Sequence, residues 1–272
     1  MKSCHLVWCF SSTLFVYYVE TNLAVDPQRI KRWVALGVAS VAIAISLASH
    51  AAEGFAACPQ FFAKNKPPAV SKQPTLRELC YDAFAILHSG QTKTPIFVAQ
   101  RLSRQSISDA NEKRTNKFFS DSRLPRKERS LLEDYKRSGY SRGHMAPAAD
   151  MPTPLAMEQS FSLANVVPQA RQHNSGAWAK IEKDTRHYVK RAQGDVFVIT
   201  GPVFDAQSAS IGGNQVRVPK YLFKLVYDVE RNRAWVHWHE NQDGTKASPP
   251  ISYAELVKRT GVDFLPAVIP LH

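Results

Sequence analysis

Arg142, Gly143 and His144 stand together in Tyr140-Ser141-Arg142-Gly143-His144-Met145, and Asn174 opens Asn174-Ser175-Gly176-Ala177-Trp178 further on. A neutral histidine titrates near neutrality and can take a proton from an attacking water. An asparagine amide oxygen is a hard, neutral donor for magnesium, which keeps several waters and takes further oxygens from a substrate. Arginine side chains grip phosphate oxygens bidentately and offset charge that builds on phosphorus. Together these are the parts needed to cut a phosphodiester with one metal ion, the metal offsetting charge on the leaving oxygen. The Arg-Gly-His tripeptide alone says little. The combination and its spacing say much more.

These groups need elements to hold them. Gly143 frees the backbone between Arg142 and His144, and Pro147 soon ends regular pairing. That fits a strand edge or turn projecting both side chains into a cleft. Asn174 sits where a helix begins, with Trp178, Ile181 and Tyr188 or Val189 able to pack inward. Glu182 and Arg186 are four residues apart on that helix, on one face and able to pair. Strand, strand, then helix is the expected frame of the site.

Thr94–Leu102 reads as a strand, and Val196–Thr200 as an apolar strand at a sheet centre. Ser160–Val167 reads as a strand, and Val216–Tyr227 with Ala234–Trp238 continues an antiparallel pattern around the turn Asp228–Arg233. Leu79–Leu87 is mostly apolar and buried in either state. Pro125 opens a helix through Lys136 with Leu131 and Leu132 facing the core. Ser252–Arg259 is a closing helix, capped by Ser252 and ended by Gly261. Asp109–Arg126 is a basic surface segment with Phe118 and Phe119 as anchors. His237 and His239 alternate on a strand without a third ligand nearby, so they read as surface or core histidines.

The chain has 272 residues, 44% hydrophobic and 21% charged, as an ordinary globular protein does, but its formal charge is +12. That balance points to an acidic partner, nucleic acid before an anionic membrane surface, with mere solubility as the alternative. Arg29, Lys31 and Arg32 precede the uncharged apolar run Trp33–Ala48, and Ser49 and Ala51 form a small-x-small cleavage site. Residues 1–51 therefore read as a leader with a signal peptide, and the product as periplasmic or secreted, without stable membrane association. A membrane anchor is the alternative, though a spanning helix wants about 20 apolar residues. Cleavage there leaves a net charge of +10 and two cysteines, Cys58 and Cys80. In an exported chain these are most simply a disulfide, with free thiols or pairing to another chain as alternatives. Residues 52–78 read as an irregular N-terminal arm tied down by that bond, and 79–272 as one domain.

A thiol protease is a rival reading, since Cys80, His144 and Asn174 occur in the Cys-His-Asn order. Cys80 has a natural partner in Cys58, however, and no Gly-Ser-Cys-Trp context surrounds it.

At this point the residues carry a resemblance. The segments RTNKFFSD, YKRSGYSRGHMAPAADM, SFSLANVVPQ, HNSGAWAKIEKDTR and GDVFVITGPVF occur in this order between about Leu79 and Leu265. The chain resembles the DNA/RNA non-specific endonucleases of the ββα-metal (His-Me finger) class, which includes Serratia-type secreted nucleases, mitochondrial endonuclease G and its exonuclease relative. The resemblance implies an α+β fold, a central antiparallel sheet with flanking helices and a ββα-metal motif. It implies Mg²⁺, with Mn²⁺ as a substitute, DNA and RNA as substrates with little sequence preference, and 5′-phosphate ends; a homodimer is left open. By resemblance His144 is the general base and Asn174 the single protein ligand of the metal. Glu182 is similar to the family carboxylate that holds metal-bound water. Arg114 and Arg186 resemble the phosphate and transition-state arginines, and Arg142 the motif arginine that supports substrate binding. Asn165 reads as a structural polar residue near the histidine.

One residue departs from the pattern: the family motif usually begins with Asp, and here it begins with Ser141. Ser141 can hydrogen-bond a water but brings no charge, and SRGH is also the form found in the exonuclease branch. Two alternatives follow, an end-preferring exonuclease and a nucleic-acid-binding protein whose catalysis is weakened.

Overall fold

The computed structural model describes residues 53–271. The leader and cleavage site expected in residues 1–51 lie outside them. No helix among the described residues is long and apolar enough to cross a membrane.

The apolar run at Val196 lies where its composition requires, in the interior of a sheet. Six antiparallel strands form that sheet: β1 (Leu76–Cys80), β2 (Ala85–Ser89), β3 (Thr94–Leu102), β6 (Val196–Val203), β9 (Tyr221–Asp228) and β10 (Arg233–Glu240). They are hydrogen-bonded in the order β1-β2-β3-β6-β9-β10. All of β6 but Val203 is buried, because both sheet faces are covered. One face packs Phe97, Phe223, Leu225 and Val236 against Phe55, Phe62 and Leu256. The other packs Ile86, Val98 and Leu222 against Met145, Phe161, Trp178 and Ile181, and this second layer carries the site. Apolar alternation thus sends successive residues of one strand to two cores.

Several elements differ from the sequence expectation. Residues 54–65 are not irregular: they form three short 3-10 turns that bury Phe55, Phe61 and Phe62. The disulfide Cys58–Cys80 ties them to the end of β1. Leu79–Leu87 spans two paired strands and their turn. A six-residue helix, α1 (Arg104–Asp109), follows β3 where none was expected, nucleated by a Ser103 and Ser106 capping box.

The single helix expected from Pro125 to Lys136 is broken into a 3-10 turn, Arg126–Glu128, and the short α2 (Leu132–Tyr135). Asp134 decides this. Its carboxylate accepts from Leu131 N at 2.8 Å and from Asn214 N at 3.0 Å, which turns Asp134 and Tyr135 inward. Leu132 consequently faces out, 39% exposed, contrary to expectation. Asn214 belongs to the tip between β7 (Ser210–Ile211) and β8 (Val216–Arg217), so the strand read from Val216 to Tyr227 is two strands.

Ser160–Val167 is not one strand either. Thr153 caps α3 (Pro154–Ser160), a 3-10 turn covers Leu163–Asn165, and pairing starts only with β5 (Val166–Gln169). Phe119 is 37% exposed and is fastened by its backbone, which pairs with Phe161 and Leu163, while Phe118 packs inward. The closing helix α6 (Tyr253–Thr260) matches its capping signals: Ser252 Oγ accepts from Glu255 N, and Gly261 has φ of +70°.

Burial favours the neutral form of five imidazoles, His239 among them. It pushes His144 down to about 3 and His88, His173 and His237 down to about 4. An unfolded chain would protonate each near 6.5. Between pH 6.5 and 4 these rings bind more protons in the unfolded state, so their contribution to stability falls as pH falls, opposed only in part by the raised Glu182 and Asp150 carboxyls. A loss of several kcal/mol over that window is expected; a melting temperature unchanged between pH 7 and 4.5 would contradict it.

Candidate active site

The strand–strand–helix frame is present. β4 (Ser141–His144) pairs antiparallel with β5, His144 opposite Val166 and Gly143 opposite Val167. The chain then enters α4 (Arg171–His173), a π-helical turn at Asn174–Trp178, and α5 (Ala179–Val189). Trp178, Ile181 and Val189 bury the inner face of this helical run. Single π turns widen a helix locally and are frequent at functional sites; here the turn begins at Asn174.

Gly143 is required by close approach more than by turning. A Cβ on it would lie 2.6 Å from the Cβ of Gln169 on the paired strand, which cannot move without breaking the sheet. Gly143→Ala is expected to destabilise by about 1–3 kcal/mol, as overpacking does, read as a lower melting temperature. Asn165 fixes the chain beyond His144. Its carbonyl accepts from Met145 N at 2.9 Å, its side-chain oxygen from Ala146 N at 2.9 Å, and its amide donates to Ala146 O and Ser160 O. That is the structural role expected of it.

His144 is 8% exposed and packs against Phe118 and Phe161, with ring centroids at 5.3 and 5.1 Å. The same two rings seat the arginines: Arg142 lies over Phe118 at 4.2 Å and Arg114 over Phe161 at 4.9 Å. Burial first, and then these two guanidinium charges, hold the imidazole at about 3. Its Nε2 is buried without a hydrogen-bond partner.

Arg114, Phe118, Ser141, Arg142 and Asn174 share the wall of an open cleft of about 780 Å³. Lys136, Arg171 and Glu133 line it too, so its charge is mainly positive. Lys136 and Arg171 went unassigned in the sequence, where they are indistinguishable from surface cations.

Glu182 and Arg186 do not pair with each other. Arg186 donates to Asp150 Oδ1 at 3.0 Å, and Asp150 is 5% exposed. Lys224 on β9 lies beneath, 1% exposed, its Nζ 2.7 Å from Thr200 Oγ1 and 5.5 Å from the Trp178 ring centroid. Crowding by protein pushes the partly exposed Glu182 up to about 7, against the lowering pull of Lys224. Burial likewise raises Asp150 and lowers Lys224. Asp150 and Lys224 carried no assigned role in the sequence. Lys224 had left a signal, a lone cation inside the apolar strand YLFKLVYD; Asp150 had left none beyond lying near His144.

Among the described residues no three His, Cys, Asp or Glu side chains cluster as a metal cage. The donors that remain suit a hard ion that keeps its waters: the Asn174 amide in the cleft wall, with Glu182 on the same helical run. His173 and His239 are buried and face each other at 3.3 Å, with Gln169 completing the row.

With this geometry the family follows. A model of the DNA/RNA non-specific endonucleases matches residues 64–269. The chain belongs to that family. Among curated members it is 34% identical over 158 residues to human "Nuclease EXOG, mitochondrial", covering 54% of this chain and 43% of that protein. Human "Endonuclease G, mitochondrial" is 33% identical over 159 residues, 54% of this chain and 50% of that protein. "Nuclease C1" of Cunninghamella echinulata is 33% identical over 159 residues, 53% and 62%. The chain thus spans about half the length of these relatives. A crystal structure of an EndoG/EndoGI complex superposes with a TM-score of 0.65 at 22% identity, covering 74% of this chain and 89% of that one. This likeness shows the fold: α+β, with a six-stranded antiparallel sheet and helices.

Proposed function

We propose that this endonuclease-family chain is an exported, magnesium-dependent nuclease that hydrolyses DNA and RNA phosphodiesters with little sequence preference, leaving 5′-phosphate ends. One observation carries the reading: a buried His144 packs on the two aromatic rings that seat Arg114 and Arg142, beside a cleft that Asn174 also lines.

Arg114 and Arg142 receive the scissile phosphate. Burial, reinforced by their positive field, keeps His144 unprotonated; an arriving phosphate offsets the field's part and makes the imidazole a stronger base. His144 then accepts the proton of the attacking water. Asn174 would hold the metal through its amide oxygen, with Glu182 on the same helical run in support. The chemistry that magnesium would supply there is charge neutralisation at the leaving 3′ oxygen. Arg186, aimed by Asp150, lends its charge to the transition state. Mn²⁺ substitutes, being another oxygen-seeking ion.

Ser141 supports a second reading. It lines the cleft where the family motif usually has an aspartate, so a preference for strand ends fits too. Export rests on the signal-like residues 29–51 and agrees with the disulfide, which persists in oxidising compartments. Because the grip is on phosphates, log rate should fall linearly with log salt, with a slope of about one per neutralised phosphate. Activity flat between low and moderate salt would remove the backbone-grip account.

A further inference from the structure

A second cavity, of about 540 Å³, opens on the other side of α5 from Glu182 and Arg186, between that helix and β10. Its wall combines Tyr188, Trp235 and His237 with Arg191 and Arg233. On β10 the neighbours Ala234 and Val236 go into the opposite core, so the pleat turns Trp235 and His237 to this side. Trp235 is only partly buried and is held edge-on by Tyr188 at 4.8 Å, the Tyr188 hydroxyl being fixed in turn by Asp228 at 2.5 Å. Arg191 and Arg233 are exposed and make no ion pair among the described residues. His237 Nδ1 is buried with no hydrogen-bond partner. The acid in the wall, Asp184, is already neutralised by Lys180 at 2.5 Å.

A rigid aromatic face, two unpaired guanidiniums and an unused ring nitrogen form a set suited to a planar base with an anionic tail. Bases stack on aromatic side chains regardless of sequence, and arginine holds phosphate bidentately. The volume suits one such unit. We propose that this groove is a second nucleotide site: the base lies on Trp235 beside His237, and the phosphate on Arg191 and Arg233. It rests on the nucleic-acid reading above. The occupant is either a nucleotide of a single strand or a free nucleoside monophosphate, which share this chemistry.

The test is binding, so it does not depend on turnover. The full chain is titrated without metal against adenosine monophosphate and against a short oligo-deoxyadenylate, following tryptophan fluorescence. Three proteins are compared: the unaltered chain, an R191E/R233E groove variant and an R114E/R142E cleft variant. The altered arginines are all exposed, so folding should survive. The proposal expects fluorescence quenching by the monophosphate, at least about tenfold weaker in the groove variant and retained in the cleft variant. Saturation by the oligonucleotide as well assigns the site to a strand; response to the monophosphate alone assigns it to free nucleotide. No binding at millimolar monophosphate, or equal binding by the groove variant, overturns the proposal. Failure of the unaltered chain to cut in a separate magnesium assay would instead overturn the nuclease reading and leave this binding result standing.

Discussion

His144→Ala should lower turnover by about 10²–10⁴-fold, the usual contribution of a general base, while leaving DNA affinity within a few-fold. The arginines that would hold the phosphate are seated on Phe118 and Phe161, and those rings also pack on each other at 4.9 Å, a contact that the substitution leaves intact. The same substitution should make the fold more tolerant of acid, because one ring that resists protonation is gone. Single-turnover rates and filter binding at matched salt check the first part, and melting at pH 5 the second. A variant that cuts at the normal rate would remove His144 from the mechanism, whatever its stability.

Glu182→Gln should separate function from stability. In the folded protein crowding pushes this carboxyl up to about 7, against about 4.5 in the unfolded chain. The folded state therefore holds the proton more tightly, and the ionised carboxylate is a cost borne as pH rises through 7. Gln removes that cost. The variant should be more stable than the parent at pH 8, by about 1–3 kcal/mol, and equal to it below pH 4.5. Cutting should nonetheless drop by about 10–100-fold and need more magnesium, as when a group supporting a metal's ligands is lost. Melting at pH 8 and pH 4 with magnesium-dependent rates tests both halves. A variant less stable at pH 8 than at pH 4, relative to the parent, contradicts the charge argument; normal magnesium dependence contradicts the metal role.

The sheet was legible where local chemistry alone decides. Val196–Thr200 could only be an interior strand, and Ser252 with Glu255 and Gly261 marked a helix that the structure places within a residue. The errors fall where a distant side chain overrides local pattern. Asp134 reaches the β7–β8 tip and breaks the helix expected after Pro125, which exposes Leu132. Ser162 and Thr153 caps divert the residues before Val166 into helical turns. Within the site, the sequence brings His144, Arg142 and Asn174 onto one frame, since their spacing is set by two short strands and a helix start. It paired Glu182 with Arg186 from helical periodicity. The structure instead gives Arg186 to Asp150, because a buried carboxylate needs the cation more than a partly exposed one does. Lys224 lay far along the chain, and only sheet topology carries it beneath α5.

The central claim is metal-dependent phosphodiester hydrolysis at this cleft, and a magnesium titration on closed circular plasmid tests it most directly. The full chain is assayed beside linear duplex and RNA, with a chelator control. The account predicts that the closed circle is lost with added magnesium, that RNA is cut too, and that chelation stops both. Cutting of linear duplex alone would move the protein to the end-preferring reading and put Ser141 first among its causes. Binding to all three substrates with no cutting at any magnesium concentration would contradict the account.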